Sequence, residues 1–505
     1  MLLDDGLAHS ARTRPGAPAL IYRGTVTSYG ALELRVNRCA NALIGLGVGR
    51  ADRVAVLTEN HPAFSELLAA CARIGAVLAP LNYRLSMREI GVILAAADPK
   101  CVFVQNAYLA PLLDHDGTLA ARTIALEPGA GARADYETLL ANAADTHPNA
   151  PRSPQDHVLL QYTSGTTGAP KGILSTHAGW VQASLIEPPL KGIDERSVFL
   201  NVMPMCHTGG AKWVVETMFA GAAMVVGENA DIDEMINTIE QLGVTNTSIV
   251  PTTLYHLLDA PERKRRDLTS LRYINYGGAP MSEQRLGQAL EELGCHFTQG
   301  YGMTELAGGS ITYAGPADHW RDGTVSPKLR SSGRPLVDCE VKLLGEDGRP
   351  VAIGDAGEIA VKTDRAFTGY FGADAPDPPF DTEGFFHTGD LGRLDEDGYL
   401  YVVDRAKDMI VSGGLNIYSK EVEDVLLTHP AISEAYVVGA PDDEWGETVK
   451  AVLVLRPEAS LSANAAIEWC RTHLASYKKP RIVEFWSSQA LPRTSLGKVV
   501  KRDLR

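Results

Sequence analysis

No stretch of about eighteen apolar residues occurs in the 505-residue chain, so nothing in it reads as a membrane-spanning helix. The N-terminus, Met1 to Arg14, mixes Asp4, Asp5, Arg12 and Arg14 where a signal peptide would carry an apolar core, and a cytoplasmic location with no integral membrane part is expected. Basic residues are outnumbered: 47 Lys and Arg stand against 62 Asp and Glu, a formal charge of −15. That balance argues against a nucleic-acid partner, because a phosphate backbone is bound by a basic surface. The seven cysteines (Cys39, Cys71, Cys101, Cys206, Cys295, Cys339, Cys470) are odd in number, with no C-x-x-C pair and no regular spacing against histidine. They read as reduced, mostly buried thiols, not as a structural zinc site. Arg263, Lys264, Arg265 and Arg266 form a basic run, but without an adjacent amphipathic anchor it reads as solvated surface.

With 45% hydrophobic and 22% charged residues the chain is globular, and its length suggests roughly three folding units. Helix and strand periods alternate early: a helix over Tyr29 to Leu46 opened by Ser28, a strand at Arg53 to Leu57, a helix at Pro62 to Ile74, a strand at Ala76 to Leu81, a helix after Ser86 and a strand at Cys101 to Val104. This rhythm means parallel sheets with helical crossovers. It continues through Met224 to Val226, Asp233 to Leu242, Ser248 to Val250 and Tyr273 to Tyr276, where Gly277 and Gly278 follow a strand end, the place open α/β sheets put ligands. From about Ser331 short strands and Asp-Gly turns (Glu346 to Gly348, Asp395 to Gly398) predict antiparallel hairpins and a small β-rich subdomain. After Asp404 helix and strand mix again over about one hundred residues, enough for a separate small domain.

Thr163 to Gly172 reads Thr-Ser-Gly-Thr-Thr-Gly-Ala-Pro-Lys-Gly. Gly165 and Gly168 let backbone N–H groups face an anion, Ser164, Thr166 and Thr167 add hydroxyl donors, and Lys171 supplies a point charge, a set suited to polyphosphate. It is not the Walker pattern, which needs Gly-Lys-Ser/Thr, because Pro170 precedes Lys171 and Gly172 follows it. Downstream lie Gly300-Tyr301-Gly302-Met303-Thr304-Glu305, Thr388-Gly389-Asp390, Asp404-Arg405-Ala406-Lys407-Asp408 and Leu491-Pro492-Arg493-Thr494-Ser495-Leu496-Gly497-Lys498. Taken singly, the first three also read as turns or hairpin ends, and a lysine so near a chain end as surface.

In this order and approximate spacing, over nearly the whole chain, the phosphate loop and these four segments resemble the adenylate-forming superfamily, which joins acyl-CoA synthetases, the adenylation domains of peptide synthetases and beetle luciferases. The resemblance implies an α/β chain: a large N-terminal domain of α/β sheets with the β-rich subdomain over 1–404, then a small mobile α+β domain over 405–505 hinged at about Lys407. It implies that Thr163, the loop, Gly278, Ala279 and Gly300 to Met303 bind ATP or AMP, with the Tyr301 ring on adenine and Thr304 on the α-phosphate. Asp390 and Arg405 would hold the ribose. Glu305, with Thr163, would help hold Mg²⁺, since a hard cation wants carboxylate and phosphate oxygens.

The implied first half-reaction is attack by a carboxylate on the α-phosphorus of ATP, with Lys498 stabilising developing charge electrostatically. No side-chain nucleophile is needed, in keeping with the lack of a convincing Ser-His-Asp or Cys-His arrangement. The second half-reaction transfers the acyl group to coenzyme A past Ser412, Gly413, Gly414 and Trp445, with Leu415 standing where the family often has glutamate; Trp445 also reads as a partly buried core residue. His207 would orient the acid or bond a phosphate oxygen without acting as a base, because carboxylic acids are already ionised at neutral pH; a core histidine is the alternative.

By the same resemblance His207, Lys212, Trp213, Tyr276, Gly277, Gly308 and Gly309 line the acyl pocket, and the small residues among them suggest room for a medium or long aliphatic chain or an aromatic ring. Lys212 reads either as an exposed helix residue or as a selector for a second oxygen function. The expected partners are thus a small carboxylic acid, ATP and coenzyme A, and a homodimer is among the assemblies left open. A chain ending at Arg505, soon after Lys498, fits a free acid:CoA ligase. A stand-alone adenylating partner of a carrier protein would look similar, and a luciferase-like oxygenase would share the adenylation parts but lacks here the terminal Ser-Lys-Leu signal.

Overall fold

The computed structural model describes residues 1–128, 131–163, 171–279, 281–372, 378–405, 408–412, 415–442, 445–493 and 499–505. Helix ends follow from local chemistry. The Ser28 hydroxyl accepts the Ala31 N–H at 3.2 Å to open Tyr29–Gly45, and Ser86 and Glu89 cap each other reciprocally at the start of Met87–Ala97. Pro62 begins Pro62–Ile74, and Gly75 closes it with φ +71°.

The chain divides into two compact units: Met1–Gly278 with Glu292–His319 and Thr363–Pro378, and Ala279–Glu291 with Trp320–Lys362 and Pro379–Arg505. In the first, one sheet runs Gly369–Phe371, Lys171–Thr176, His157–Thr163, Val77–Leu81, Arg53–Leu57, Cys101–Val104, Thr123–Ala125 and Ala134–Asp135. It is parallel from His157–Thr163 onward and antiparallel where Lys171–Thr176 and Gly369–Phe371 are added. A second sheet runs Ser310–Ala314, His296–Gly302, Tyr273–Gly277, Asn246–Ile249, Val198–Asn201, Ala223–Val226, Pro18–Tyr22 and Thr25–Ser28, with parallel neighbours except at the two end pairs. The alternation of helix and strand read in the sequence thus builds two α/β sheets.

Helix Pro62–Ile74 is buried at every residue from Ala63 to Ile74, the pattern of a helix packed on all sides. Its two charges are paired: Glu66 accepts from Arg35 at 2.6 Å and from the Tyr136 hydroxyl at 2.7 Å, and Arg73 reaches Asp4 at 3.1 Å and Asn37 at 2.7 Å. All seven cysteines are free, and all but Cys295 are buried. Three residues of the basic run make ion pairs, Arg263 with Glu292, Arg265 with Glu262 and Arg266 with Glu240. Among the described residues no helix is long and apolar enough to cross a membrane.

The second unit holds an antiparallel sheet in the order Glu340–Leu344, Ala356–Lys362, Phe386–Leu394 and Leu400–Arg405. Its turns close at Gly348 (φ +74°) and Gly398 (φ +78°), as the Asp-Gly pairs require. Beyond it Leu415–Ile417, Ile410–Ser412, Gly446–Leu455 and Ile432–Asp442 form a second sheet, to which Ile482–Phe485 adds in parallel. Helices Ser419–Leu427 and Ala463–His473 complete a core that includes Ile410, Val422, Leu426, Val437 and Cys470.

Candidate functional site

In the large unit, strands His157–Thr163 and Lys171–Thr176 pair antiparallel, with Thr163 opposite Lys171. Ser164, Gly165, Thr166, Thr167 and Gly168, which join them, lie outside the described residues. Lys171 is half-buried, and its amine stands 5.0 Å from the centre of the Tyr370 ring. Tyr370 is placed by the strand Gly369–Phe371, whose residues pair with Leu174, Ile173 and Gly172 in turn.

At the end of the other sheet Gly277 stands opposite Gly300, and Gly278 follows with φ +75°. The glycines of the Gly-Tyr-Gly run serve close strand approach more than turning. A Cβ on Gly302 would lie 2.5 Å from the Gly309 carbonyl oxygen, and one on Gly300 would lie 2.4 Å from Ser310 Oγ. The turn comes after them, where Met303 is extended, Thr304–Leu306 makes one 3₁₀ turn, and Ala307 and Gly308 close it at φ +50° and +76°. Tyr301, Thr304 and Glu305 are half-buried there, and the Glu305 carbonyl accepts the Phe367 N–H at 2.7 Å. The segment that supplies Phe367 also supplies Tyr370, so one stretch of chain touches both the Lys171 and the Glu305 motifs.

His207 stands immediately before helix Thr208–Ala220. Burial, reinforced by the Arg84 cation, holds its imidazole down to about 4, so it is neutral at pH 7 and does not act as a cation. The next residue ties the two sheets' motifs together: Thr208 Oγ1 donates to Gln161 Oε1 at 2.7 Å.

The remaining residues assigned to the acyl pocket sit deeper than expected. Trp213 is 1% exposed and stacks on Phe199 at 4.6 Å, and Tyr276 is fully buried with its hydroxyl 2.9 Å from His319 Nε2. His319 Nδ1 lies 2.7 Å from the Gly315 carbonyl, which fixes Nδ1 as the donor and leaves Nε2 to accept from Tyr276. The space beside Gly308 and Gly309 is occupied: a Cβ at Gly308 would meet the Trp180 ring at 2.6 Å, and one at Gly309 would meet Arg365 Nη1. At both positions the direction a side chain would take is filled by protein.

Lys212 is neither exposed nor unpartnered. Its amine is 3.2 Å from Glu187 and 3.5 Å from Glu216, and Lys191 bridges the same two carboxylates at 2.7 and 3.0 Å. Glu187 also accepts from the Ser310 N–H at 2.7 Å and its hydroxyl at 2.9 Å, while Arg365 donates to the Ser310 carbonyl at 2.7 Å. Burial pushes the Glu187 carboxyl up, but Lys191, Lys212 and Arg365 more than reverse it, leaving it well below the usual carboxylate range. Burial raises Glu216 and lowers Lys191, as expected of a cluster carrying more charge than its surroundings solvate. This network backs the turn that follows Glu305. Sequence reading missed Glu187, Lys191, Glu216 and Arg365, because Glu187 and Lys191 at i,i+4 look like an ordinary surface pair.

In the second unit Asp390 and Arg405 are register partners on adjacent strands, with Arg405 Nε 3.3 Å from Asp390 Oδ1. Thr388 anchors the turn by donating to the Ile359 carbonyl at 2.7 Å and accepting the Asp390 N–H at 3.1 Å, and Gly389 has φ +72°. Asp390 is 8% exposed, whereas the Arg405 side chain is 47% exposed, so the pair presents a buried carboxylate beside an exposed cation. Ala279, the first residue of this unit, is half-buried. Ser412 pairs with Leu415 and with Gly446, which brings the strand carrying Ser412 beside Trp445. Trp445 is 37% exposed under the Arg481 guanidinium at 5.1 Å, a surface residue and not a core one. Lys407, Gly413, Gly414 and Lys498 lie outside the described residues. Arg493 and Val499, on either side of 494–498, form an antiparallel bridge.

The family model described as AMP-binding enzyme matches residues 7–371, and that of the AMP-binding enzyme C-terminal domain matches 421–498. A feruloyl-CoA synthase from an Amycolatopsis species is 37% identical over 98% of this chain and 96% of its own length. A fatty acid–[acyl-carrier-protein] ligase from Streptomyces coeruleorubidus is 34% identical over 98% of this chain and 94% of its own. Among solved structures, o-succinylbenzoate CoA synthetase from Bacillus subtilis in complex with its acyl-adenylate intermediate superposes with a TM-score of 0.85 at 30% identity, covering 99% of this chain and 97% of that one. With the strands that flank the Thr163–Lys171 motif paired, the Thr304 turn and the Asp390–Arg405 pair described, and both domain models matched, the chain belongs to the AMP-binding enzyme family of adenylate-forming proteins.

Proposed function

We propose that the protein is an AMP-forming carboxylic acid:CoA ligase acting on a medium or long aliphatic acid or an aromatic acid. The observation that carries this is coverage: similarity to a feruloyl-CoA synthase runs end to end, through the residues of both half-reactions. In this reading Lys171 and the loop before it hold the polyphosphate, Tyr301 faces adenine, Thr304 contacts the α-phosphate, and Asp390, paired with Arg405, accepts from the ribose hydroxyls. Neutral His207 orients the acid. Attack of the carboxylate oxygen on the α-phosphorus forms the acyl-adenylate and expels pyrophosphate, and Lys498 stabilises the charge that builds on the phosphoryl oxygens. Residues 405–505 then turn about Lys407, so that Ser412, Gly413, Gly414 and Trp445 guide the thiol of CoA to the acyl carbon, AMP leaving as the thioester forms.

Mg²⁺ fits this site as an ion that arrives with ATP. Among the described residues no cluster of His, Cys, Asp or Glu could hold a metal by itself, whereas Glu305 and Thr163 offer hard oxygens of the kind that share Mg²⁺ with phosphates. The ion would neutralise charge on the triphosphate. Because Trp180 and Arg365 fill the space beside Gly308 and Gly309, the bulky-acid assignment rests on the relatives, one named for an aromatic acid and one for fatty acids.

The test is a panel of aliphatic, aromatic and dicarboxylic acids with ATP and Mg²⁺, following AMP and pyrophosphate with and without CoA. CoA-dependent AMP release with a new thioester is the expected result. The carrier-protein ligase among the relatives favours a second reading, in which pyrophosphate appears with the acid but free CoA yields no thioester.

A further inference from the structure

We propose that Tyr370 is a positioning residue for the phosphate-loop lysine, its ring acting as a seat that fixes the Lys171 ammonium without neutralising it. This rests on the reading of Lys171 as a polyphosphate ligand. Lys171 follows a Gly-rich stretch, and a four-carbon side chain there must be restrained if its charge is to meet a phosphate in one place. A carboxylate partner would hold it but cancel the charge and consume its donors. An aromatic face attracts the ammonium through the ring quadrupole and leaves the charge and its N–H groups directed outward.

The structure builds that arrangement from the strand upward. The ammonium lies 5.0 Å from the Tyr370 ring centre, within cation–π range. The ring is itself held edge-on by Phe367 at 4.9 Å, and its backbone pairs with Ile173, two residues beyond Lys171. Phe371 completes the register opposite Gly172, where a Cβ would come 3.1 Å from Phe371 Cβ, so the two strands lie close beside the lysine. Phe367 in turn donates its N–H to the Glu305 carbonyl at 2.7 Å. The stretch from Phe367 to Phe371 therefore sets the distance between the phosphate-loop cation and the turn bearing Glu305. Burial, with the Glu305 carboxylate nearby, pushes the Tyr370 phenol up, so the ring stays neutral under the ammonium.

The test measures binding of Mg·ATP and of AMP to the full chain by calorimetry, without acid or CoA, so that no turnover occurs. Tyr370→Leu should weaken ATP roughly twofold to thirtyfold, the span expected for one cation–π contact, and leave AMP, which lacks the polyphosphate, nearly unchanged. Tyr370→Phe should bind like the parent. Replacing Tyr370 by phenylalanines of increasing fluorination keeps the shape, avoids the packing loss of leucine, and should weaken ATP stepwise as the ring face loses negative charge. In a Lys171→Ala background these changes should have no further effect. Equal weakening of AMP, a flat fluorination series, or an undiminished Tyr370→Leu effect without Lys171 would each overturn the proposal. If Lys171→Ala binds ATP like the parent, the reading of Lys171 fails and this inference with it. If Lys171→Ala weakens ATP while the Tyr370 series does nothing, only the inference fails.

Discussion

Thr208 Oγ1 donates a hydrogen bond to Gln161 Oε1 across 2.7 Å, which fastens the helix that begins after His207 to the strand that runs into Thr163. Gln161 is 4% exposed, so water cannot replace the hydroxyl if it is lost. Thr208→Val should therefore cost about 1–3 kcal/mol, the penalty of an unpaired buried acceptor, whereas Thr208→Ser should cost little. Urea unfolding of the three proteins checks this, and equal midpoints for Val and Ser would show that the bond contributes nothing.

The buried charge network makes a stronger claim. Glu187 satisfies Lys191, Lys212 and both donors of Ser310 at once, so Glu187→Ala leaves two ammonium groups to share Glu216 alone and takes the acceptor from a buried backbone N–H. A loss of about 3–5 kcal/mol is expected, as for removing one partner of a buried pair. Lys212→Met should cost distinctly less, because Lys191 and Arg365 still face Glu187 and the Lys212 side chain, 13% exposed, is the least buried of the lysine and glutamate members. Guanidinium melts would show the order, and a larger loss for Lys212→Met would contradict it.

What sequence could and could not show follows from the range of the interactions. Ser28, Ser86 with Glu89, and Pro62 with Gly75 act within one helical turn of themselves, and the helices they bound begin or end at those residues. Asp390 and Arg405 belong to motifs that the family resemblance had already linked, and the strand register sets them opposite each other. The network of Glu187, Lys191, Lys212, Glu216 and Arg365 draws its members from three separate stretches of chain, and nothing local marks a glutamate or lysine as buried. Gly308 and Gly309 show the same limit: a small residue signals a close neighbour, but sequence does not name the Trp180 and Arg365 side chains that a Cβ there would meet.

Acid should destabilise the protein through two histidines. Burial, first among the causes, holds His177 and His207 at about 4, against about 6.5 in an unfolded chain. Between those values the unfolded state binds more protons, so stability rises with pH across the window and is lost as pH falls from about 6.5 toward about 4, by up to about 3 kcal/mol for each histidine. His177 Nδ1 accepts the Leu3 N–H at 3.1 Å, a role the amide oxygen of asparagine can fill. His177→Asn should thus flatten the acid limb of a stability-versus-pH curve relative to the parent; an unchanged limb would show that His177 does not titrate on unfolding.

Two lysines three positions apart should respond in opposite ways. Lys501 is bound into the C-terminal core, its amine 2.7 Å from Glu423 and 2.6 Å from Ser419 Oγ, and burial keeps the Glu423 carboxyl above its usual range despite that cation. Lys501→Ala removes the cation from a carboxylate that is 9% exposed, so it should lower the melting temperature and slow adenylate and thioester formation together. Lys498 is assigned by its motif to the first step alone. The described residues on either side of it make contacts of their own: Arg493 and Val499 form a bridge, Val500 N–H donates to the Pro492 carbonyl at 2.7 Å, and Val499 and Leu504 pack with Val438, Val452 and Leu491. Lys498→Ala should therefore leave the melting temperature unchanged and reduce adenylate formation roughly 10²–10³-fold or more, the scale of losing one donor to a developing oxyanion. Transfer of the acyl group to CoA from a supplied acyl-adenylate should continue. If Lys498→Ala slowed both steps alike, its assignment to adenylation would be lost, and if Lys501→Ala spared the second step, the ion pair with Glu423 could not be what holds the C-terminal core together.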